Sequence, residues 1–448
     1  MPLIIPGNRQ ASTGYTIGQS IRFNDDDTAY MHRTPSSSGN RDKWTWSSWI
    51  KRGNLTDANA TLFQAGDDSQ SANYTTILFN GNSGGEPTLK FNSVIGSATK
   101  LNLATTQYFR DVSAWYHIVC VYDSGNDVST ERARIYVNGS RVTDLGTTTY
   151  PDQNQDSMTN HTVKQSIGRR NQDTSRYMDG YMAEIHLLDG YAYDPSFFGE
   201  FNDSGIWIPK EYTGSYGTNG FKIDGRDSSD LGDDESGQGN DYTTSGLAAH
   251  DQVLDTPTNN FCTGLPTGVG NATGVTFSEG NLTGKTSGTA GNWVSSIPVD
   301  SGKWYFEVNN HAQGSGNNLG IGQTPSGSYH HFASGSGGNQ INDYDIVVNT
   351  GASGSIVGFK LDFDAGTLTH TTDGTSYSST GSLTSGMAYA AFARLGSSSG
   401  HVAFNFGQDS TFGGLETAGG NSDSNGIGDF YYNVPSGFKA ICTKNLGS

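Results

Sequence analysis

The chain has little positive charge and no long apolar run. It contains 26 Lys and Arg residues against 44 Asp and Glu, which gives a formal net charge of −18. Phosphate recognition needs clustered basic side chains, so this balance argues against a nucleic-acid partner. No apolar stretch approaches the ~20 residues of a membrane-spanning helix, and we expect no membrane insertion.

Cysteine is scarce, and the first ten residues do not resemble a secretory signal peptide. Cys120, Cys262 and Cys442 are odd in number, far apart and without metal-site spacing. We therefore expect buried thiols rather than a disulfide framework. The start, MPLIIPGNRQ, lacks the basic and apolar regions of a signal peptide, which predicts synthesis in a cytoplasm and release by host-cell lysis if the chain acts outside.

Glycine and aromatic residues are what the chain does have. It contains 61 Gly among 448 residues, and only 33% of the residues are hydrophobic, which fits neither a coiled coil nor a helical bundle. With 22 Tyr, 21 Phe and 7 Trp, the chain has enough aromatic surface to build a core. Its length predicts roughly two or three domains.

The first half consists of short strand-like segments. They are WTWSSWI (44–50), WYHIVCVY (115–122), RARIYV (132–137), SIGRR (166–170) and GYMAEIHLLDGYAY (180–193). The third segment runs into Asn138-Gly139, and Asn-Gly between alternating segments is a strong hairpin signal because both central residues of a type I′ turn need positive φ. This half therefore predicts antiparallel sheets.

The second half repeats this pattern. Its strand-like segments are KWYFEVN (303–309), IVGFKLDFD (356–364), MAYAAFARL (387–395) and HVAFNFG (401–407). Alternation places Val357, Phe359, Leu361 and Phe363 on one face. Short strands at this spacing are typical of a β-sandwich, so we predict an all-β protein with two tandem antiparallel β-sandwich (jelly-roll) domains.

An acidic segment separates the two halves. Residues 226–255 hold one basic and eight acidic side chains among many Gly and Ser residues, which reads as a solvated, extended connector. The predicted organisation is an N-terminal arm (1–19), a first sandwich (20–225), the connector (226–265) and a second sandwich (266–448).

The order of motifs in the first half resembles a known family. The Trp-rich strand, WYHIVCVY, the IYVNG turn and the closing DGYMAEIHLLDGYAYDP segment are similar to the laminin-G/pentraxin branch of the concanavalin A-like lectin/glucanase superfamily. The resemblance spans about residues 20–200 and implies a lectin-like sandwich.

The second half resembles another family. SGKWYFEV (301–308), LGIGQ (319–323), GFKLDFDAGTL (358–368) and VAFNFGQ (402–408) are similar in kind and order to a SPRY domain, over roughly 275–410. The resemblance implies a curved antiparallel sandwich whose loops at one end bind partners.

The segment between the halves resembles a third group. GNDYTTSGLAAHDQVLDTPTNNF (239–261) is similar to the segments that join modules in structural proteins of tailed bacteriophages. This implies a virion protein, which would also leave the host cell without a signal peptide.

A glycoside hydrolase of this superfamily would need two carboxylates on one strand face. The nearest text is Glu184-Ile-His186-Leu-Leu-Asp189, in which a histidine stands at the middle position. Glu184 and His186 share a face, but the segment is the closing strand of the laminin-G-like pattern. We therefore expect a structural role there and no catalytic residues.

Candidate binding residues are few. SGSYHHF is a loop by composition, in which Tyr329, His331 and Phe332 would offer aromatic surface to a protein or sugar ligand. Trp44, Trp46 and Trp49 could stack on sugar rings, but Trp44 and Trp46 share one strand face and favour a core position.

Structural calcium is a second possibility. Laminin-G modules often hold one calcium ion at the sandwich rim, and calcium takes oxygen ligands from clustered carboxylates. The candidates are Asp25, Asp26, Asp27, Asp67 and Asp68, and a solvated acidic turn is the favoured alternative. No other cofactor is expected.

Together these features predict a non-enzymatic phage virion protein, such as a tail fibre, spike or capsid decoration protein. It would act as a homo-oligomer that contacts other virion proteins and adheres to host-surface glycans or proteins through rim loops. The alternatives are a polysaccharide-degrading glycoside hydrolase of the concanavalin A-like fold and a SPRY-type protein-binding adaptor.

Overall fold

The computed structural model describes eleven stretches of the chain. They are residues 14–53, 55, 59–66, 68, 71–81, 87–171, 175–266, 274–314, 316–324, 345–348 and 353–447. The described residues form two compact units, the first within 14–252 and 256–258, the second within 253–255 and 259–447. Each unit is built from antiparallel sheets, so the predicted all-β fold with tandem sandwiches is confirmed.

The first unit contains the strands that begin before residue 253. They are β1 Ser20–Phe23, β2 Tyr30–Arg33, β3 Lys43–Arg52, β4 Asn59–Ala65, β5 Tyr74–Asn80, β6 Thr88–Ile95, β7 Ala98–Tyr108, β8 Trp115–Asp123, β9 Ala133–Val137, β10 Ser140–Arg141, β11 Leu145–Thr149, β12 Gln165–Ile167, β13 Gly180–Asp189, β14 Gly199–Phe201, β15 Trp207–Pro209, β16 Phe221–Ile223, β17 Thr243–Ser245 and β18 Gln252–Val253. Short 3-10 helices cover Ser129–Glu131, Pro195–Phe197 and Ala249–Asp251.

Two sheets of the first unit face each other. Sheet I has the order β10-β9-β8-β3-β13-β1, with β16 also pairing β13, and sheet II has the order β11-β7-β6-β5-β4-β12-β2-β17. Alternation along β3 turns Trp44 and Trp46 towards sheet II, where both are fully buried. The Trp44 ring lies 5.5 Å from the ring of Phe91 on β6, so these two tryptophans belong to the core.

The outer face of sheet I is covered by the chain between Gly190 and Asp224. Phe198, Tyr212 and Tyr216 from this segment pack against Val119 of β8 and Leu188 of β13 in a second apolar cluster. Side chains on this face of β3, β8 and β13 are therefore buried although they point away from the main core. Sheet I is a layer between two apolar clusters.

A bulge in β13 shapes that face. Register with β3 shifts between Ala183 and His186, and Glu184 adopts φ 49°. A bulge adds one residue to a strand and re-aims the neighbouring side chains. Here it brings the carboxylate of Glu184 beside the ring of His186 on the outer face.

The acidic segment predicted as an extended connector is folded onto the first unit as far as residue 252. Leu231 and Tyr242 are 4% and 2% exposed and join the main core, and β17 pairs with β2 in sheet II. Its aspartates make turns: Asp227 accepts the backbone N–H of Ser229. Composition suggested a linker because Asp, Gly and Ser also dominate compact turns.

The second unit contains the remaining strands. They are β19 Val275–Ser278, β20 Thr283–Ser287, β21 Gly291–Val294, β22 Lys303–Ala312, β23 Asn318–Thr324, β24 Asp345–Val348, β25 Ser355–Asp362, β26 Thr367–Thr371, β27 Ser378–Ser382, β28 Ala388–Leu395, β29 Ser398–Asn405 and β30 Lys439–Ala440, followed by helix α1 Thr443–Leu446.

The second unit repeats the sandwich. One sheet has the order β19-β20-β29-β22-β25-β26-β27, with β30 pairing β22, and the other has the order β21-β28-β23-β24. Val357, Phe359 and Leu361 of β25 lie in the core between them, as the alternation predicts. The chain after β29 packs on the other side of β22, where Phe430 and Phe438 cluster with Tyr305.

Candidate functional site: an aromatic depression on the first unit

An open depression of 520 Å³ lies where the covering segment of sheet I meets the β9–β10 hairpin. Its lining is aromatic and polar, made of Tyr136, Gly139, Asp194, Pro195, Ser196, Gly199, Glu200, Phe201, Trp207 and Lys210. We call this surface the aromatic depression.

Two tight turns build its walls. Strands β14 and β15 pair antiparallel, and Asn202 closes the loop between them by accepting the backbone N–H groups of Ser204 and Ile206. Asp194 caps the helix Pro195–Phe197 by accepting the backbone N–H of Ser196 at 2.8 Å. The aromatic rings of the depression therefore stand on short, internally bonded elements.

The exposed aromatic surface comes from Phe201 and Trp207. Phe201 is 56% exposed, and its ring meets Trp207 edge-to-face at 4.9 Å and 68°. Trp207 is half-buried, while Tyr136 is only 9% exposed. A ligand that covers an aromatic ring exposed in this way removes apolar surface from water, which favours binding.

Trp207 is held closely on its buried side. A Cβ atom at Gly139 would lie 2.4 Å from the indole, and one at Gly199 would lie 2.5 Å from it. Gly139 has φ 78° in the predicted Asn-Gly turn, which forms between β9 and β10. The indole Nε1–H donates to Nδ1 of His117 at 3.0 Å.

The polar rim of the depression carries both charges. Lys210 donates from Nζ to the backbone carbonyl of Ser196 at 3.2 Å. The exposed Glu200 also lines the depression. Oδ1 of Asp194 is occupied by the backbone N–H and the hydroxyl of Ser196. The rim therefore offers hydrogen-bonding groups without a dominant charge.

Glu184, from the segment compared above with glycoside hydrolases, is buried beside His186. Glu184 is 7% exposed, accepts from the Tyr15 hydroxyl at 3.0 Å, and pairs with Lys222 Nζ at 3.4 Å. Burial opposes its ionisation, but the hydrogen bond and charge of His186, followed by the charge of Lys222, hold the pKa of Glu184 well below its usual range. Such a group is a poor proton donor.

Asp189, the last residue of that motif, is also structural. Its Oδ1 accepts the backbone N–H of Asn40 at 2.7 Å and the Asn160 side-chain amide at 3.1 Å. Its Oδ2 accepts the backbone N–H of Asn219 at 2.9 Å. The carboxylate holds three loops together.

The structure describes four of the five predicted calcium candidates. Asp25, Asp26 and Asp27 lie in the turn between β1 and β2, where Asp27 accepts from the Asn24 amide at 2.8 Å. Asp68 pairs with two cations, Lys164 and Arg169. Asp67 lies outside the described residues.

Within the described part of the chain, no group of three or more His, Cys, Asp or Glu residues could hold a metal ion. Tyr329, His331 and Phe332, the predicted ligand-binding residues, also lie outside the described residues.

The second unit contains one unusual buried acid, Glu307. Its two oxygens accept from the Tyr305 hydroxyl, the Asn405 amide and the backbone N–H groups of Tyr431 and Tyr432, at 2.8 to 3.1 Å. Burial raises the pKa of Glu307 to about 7, against the lowering effect of those backbone hydrogen bonds. The acid fastens the C-terminal segment to β22.

Sequence reasoning missed the residues of the aromatic depression. Phe201 and Trp207 are the first and last residues of FNDSGIW, a turn that joins two strands of only three residues each. The local signal for this site is a pair of aromatic residues at the two ends of a turn that contains Asn, Asp, Ser and Gly.

Comparison with known proteins matches the first unit to a family. Residues 25–192 match the Laminin_G_3 family model, described as Concanavalin A-like lectin/glucanases superfamily. No curated protein matches the chain.

Three solved structures show similarity at low identity. A native heptameric SAP-like pentraxin from Limulus polyphemus is 14% identical with TM-score 0.29, over 40% of this chain and 80% of that chain. The SPRY domain of human HERC1 is 16% identical with TM-score 0.22, over 28% and 87%. Domain 4 of AbnA, a GH43 extracellular arabinanase from Geobacillus stearothermophilus in complex with arabinotriose, is 19% identical with TM-score 0.26, over 36% and 65%.

Helices among the described residues are all too short or too polar to cross a membrane.

Proposed function

Because residues 25–192 carry a concanavalin A-like lectin/glucanase domain, we propose that the chain is a non-enzymatic binding protein that holds a glycan in the aromatic depression. The observation that carries this proposal is the Phe201–Trp207 pair, an exposed edge-to-face couple in an open, polar-rimmed surface. The apolar C–H face of a sugar ring covers aromatic surface, while its hydroxyls bond to the rim.

Binding without hydrolysis is supported by the state of the buried acids. A glycosidase uses one protonated and one ionised carboxyl group on either side of the scissile bond. Glu184 is held ionised beneath the covering segment, and Asp189 accepts three hydrogen bonds from loops. Neither group faces the aromatic depression.

The binding test uses the full chain on a glycan array, followed by calorimetry with the best ligand. F201A and W207A should each weaken binding by about tenfold or more, the size of loss that buried aromatic anchors give. The matched control is F197A, an exposed phenylalanine of the same segment that does not line the depression. If F201A and W207A both bound the glycan as tightly as the wild type and F197A, the depression would be excluded as the binding site.

The same ligands test the enzymatic alternative. Release of reducing sugar from any bound polysaccharide would make the chain a hydrolase, and a time course at several enzyme concentrations would detect it. Binding without release supports the proposal.

We further propose a setting for this binding protein, the surface of a phage particle, as a tail fibre, spike or capsid decoration present as a homo-oligomer. Support comes from the resemblance of residues 239–261 to joining segments of phage structural proteins. Many copies on one particle turn weak single-site affinity for a host-surface glycan or protein into firm attachment. Mass spectrometry of purified particles tests this, and absence of the chain from them would refute it.

A further inference from the structure

We infer that His117 is the positioning residue of this site: a neutral imidazole, protonated on Nε2, that fixes the indole of Trp207 in its ligand-binding orientation. The ligand part of this inference rests on the proposed function, whereas the orientation itself is a property of the ligand-free protein. His117 is 1% exposed and is not one of the residues that line the depression.

The tautomer follows from the hydrogen bonds. An indole N–H can only donate, so Nδ1 of His117, 3.0 Å from Nε1 of Trp207, must present its lone pair. The proton of the neutral ring is then on Nε2, which lies 2.9 Å from the hydroxyl oxygen of Ser47 and donates to it.

The imidazole is clamped from several sides. Its ring stacks on Trp49 with the centroids 4.8 Å apart, and it meets the ring of Trp207 nearly in plane, with the centroids 5.9 Å apart. The backbone N–H of His117 donates to the side chain of Asn138 at 2.8 Å, and the backbone N–H of Asn138 donates back to the carbonyl of His117 at 2.8 Å. The acceptor for Trp207 is thus fixed to β8.

Burial also keeps the ring neutral. Burial first, and then the charge of nearby His186, lowers the pKa of His117 to about 3. A protonated imidazole would present an N–H at Nδ1 and break the bond to Trp207, so the low pKa preserves this acceptor throughout the neutral and mildly acidic range.

Steric contact and a hydrogen bond together fix the orientation of the Trp207 indole. Backbone at Gly139 and Gly199 limits sideways movement of the indole, but close contact alone does not choose which ring edge points inward. The acceptor on His117 does, because turning the ring over would leave its N–H without this partner in a half-buried position.

The first experiment reads the wild-type protein without ligand. The imidazole ¹⁵N resonances of His117 should show an unprotonated Nδ1 and a protonated Nε2 at pH 7. The Trp207 indole N–H, assigned by loss of its signal in W207F, should be protected from exchange. A proton on Nδ1, or an indole that exchanges as fast as an exposed one, would overturn the inference.

The second experiment uses matched variants. H117Q retains an acceptor for Trp207 and a donor for Ser47, whereas H117F retains ring stacking but has neither. We expect indole exchange about tenfold faster in H117F than in wild type and near wild type in H117Q, the difference that one lost hydrogen bond gives. Glycan affinity should fall about tenfold in H117F and recover in H117Q.

The two proposals can fail separately. If the wild type binds no glycan, the proposed function falls, and the tautomer and exchange measurements still decide the role of His117. If the glycan binds and both H117F and H117Q equal the wild type in affinity and exchange, the positioning role falls alone. If H117F does not fold, the wild-type resonances and H117Q still decide.

Discussion

Asp189, at the end of β13, accepts the backbone N–H of Asn219 at 2.9 Å through Oδ2. Its other oxygen accepts from Asn40 and Asn160, so one carboxylate joins loops that are far apart in the sequence. The side chain is buried, at 6% exposure.

Replacing this carboxylate should destabilise the first unit. D189A leaves three donors without their acceptor, and a buried unsatisfied donor costs about 1–3 kcal/mol. We expect a loss of about 2–4 kcal/mol in the free energy of unfolding, measured by urea denaturation. The exposed Asp203 gives the control D203A, which should stay within ~0.5 kcal/mol of wild type. If D189A lost no more stability than D203A, water would be replacing the carboxylate as the acceptor.

Adding one methyl group at Gly199 should displace Trp207. The new Cβ would lie 2.5 Å from the indole, closer than packed atoms approach, so the ring must move. G199A should therefore weaken glycan binding by about tenfold, measured by calorimetry. G18A is the matched control because a Cβ there meets nothing within 4 Å. Unchanged affinity in G199A would mean that the exact ring position is unimportant.

The stability that His117 contributes should depend on pH. The pKa of His117 is about 3 in the folded protein and near 6.5 in the unfolded chain. Below pH 6.5 the unfolded chain therefore binds a proton at this residue and the folded protein does not. Stability is thus lost as pH falls. From pH 7.5 to 5 the wild type should lose about 2 kcal/mol relative to H117Q, measured by urea denaturation at both values. A pH-independent difference would contradict the burial of a neutral ring.

Glu307 should act in the opposite direction, in the second unit. Its pKa is about 7 when folded and near 4.5 when unfolded, so between these values the folded state holds the extra proton and stability is lost as pH rises. E307Q cannot ionise and lacks this loss. Relative to the wild type, E307Q should gain about 2 kcal/mol between pH 5 and pH 8, by denaturation monitored in the second unit. E416Q is the control for removing one carboxylate from this unit, because an amide oxygen at this half-buried position can still accept from Asn309.

Much of the fold could be predicted because alternation and turn chemistry are local. The segments 44–50, 115–122 and 356–364 became β3, β8 and β25 with small changes at their ends. Asn138 and Gly139 took φ 48° and 78°, as the two-residue turn requires. Such signals need no knowledge of distant parts of the chain.

The site could not be predicted because it depends on distant contacts. His117 and Trp207 are separated by 90 residues in sequence, and nothing in either local sequence indicates that they meet. The bulge at Glu184 interrupts the alternation of β13, so the strand period alone does not give the side of the sheet on which each of its side chains lies. The acidic segment misled for a related reason, since Leu231 and Tyr242 are isolated anchors in a polar stretch.

The segment from Gly190 to Asp224, which covers the outer face of sheet I, is made after every strand of that sheet except β16, which lies within the segment. During translation, Val119, Leu188 and the polar side chains beside them face water until this later stretch has left the ribosome. The matched family region stops at residue 192, just before most of that stretch. A chain that ends at residue 192 would therefore leave the apolar outer face of sheet I exposed to water, because Phe198, Tyr212 and Tyr216 would be missing.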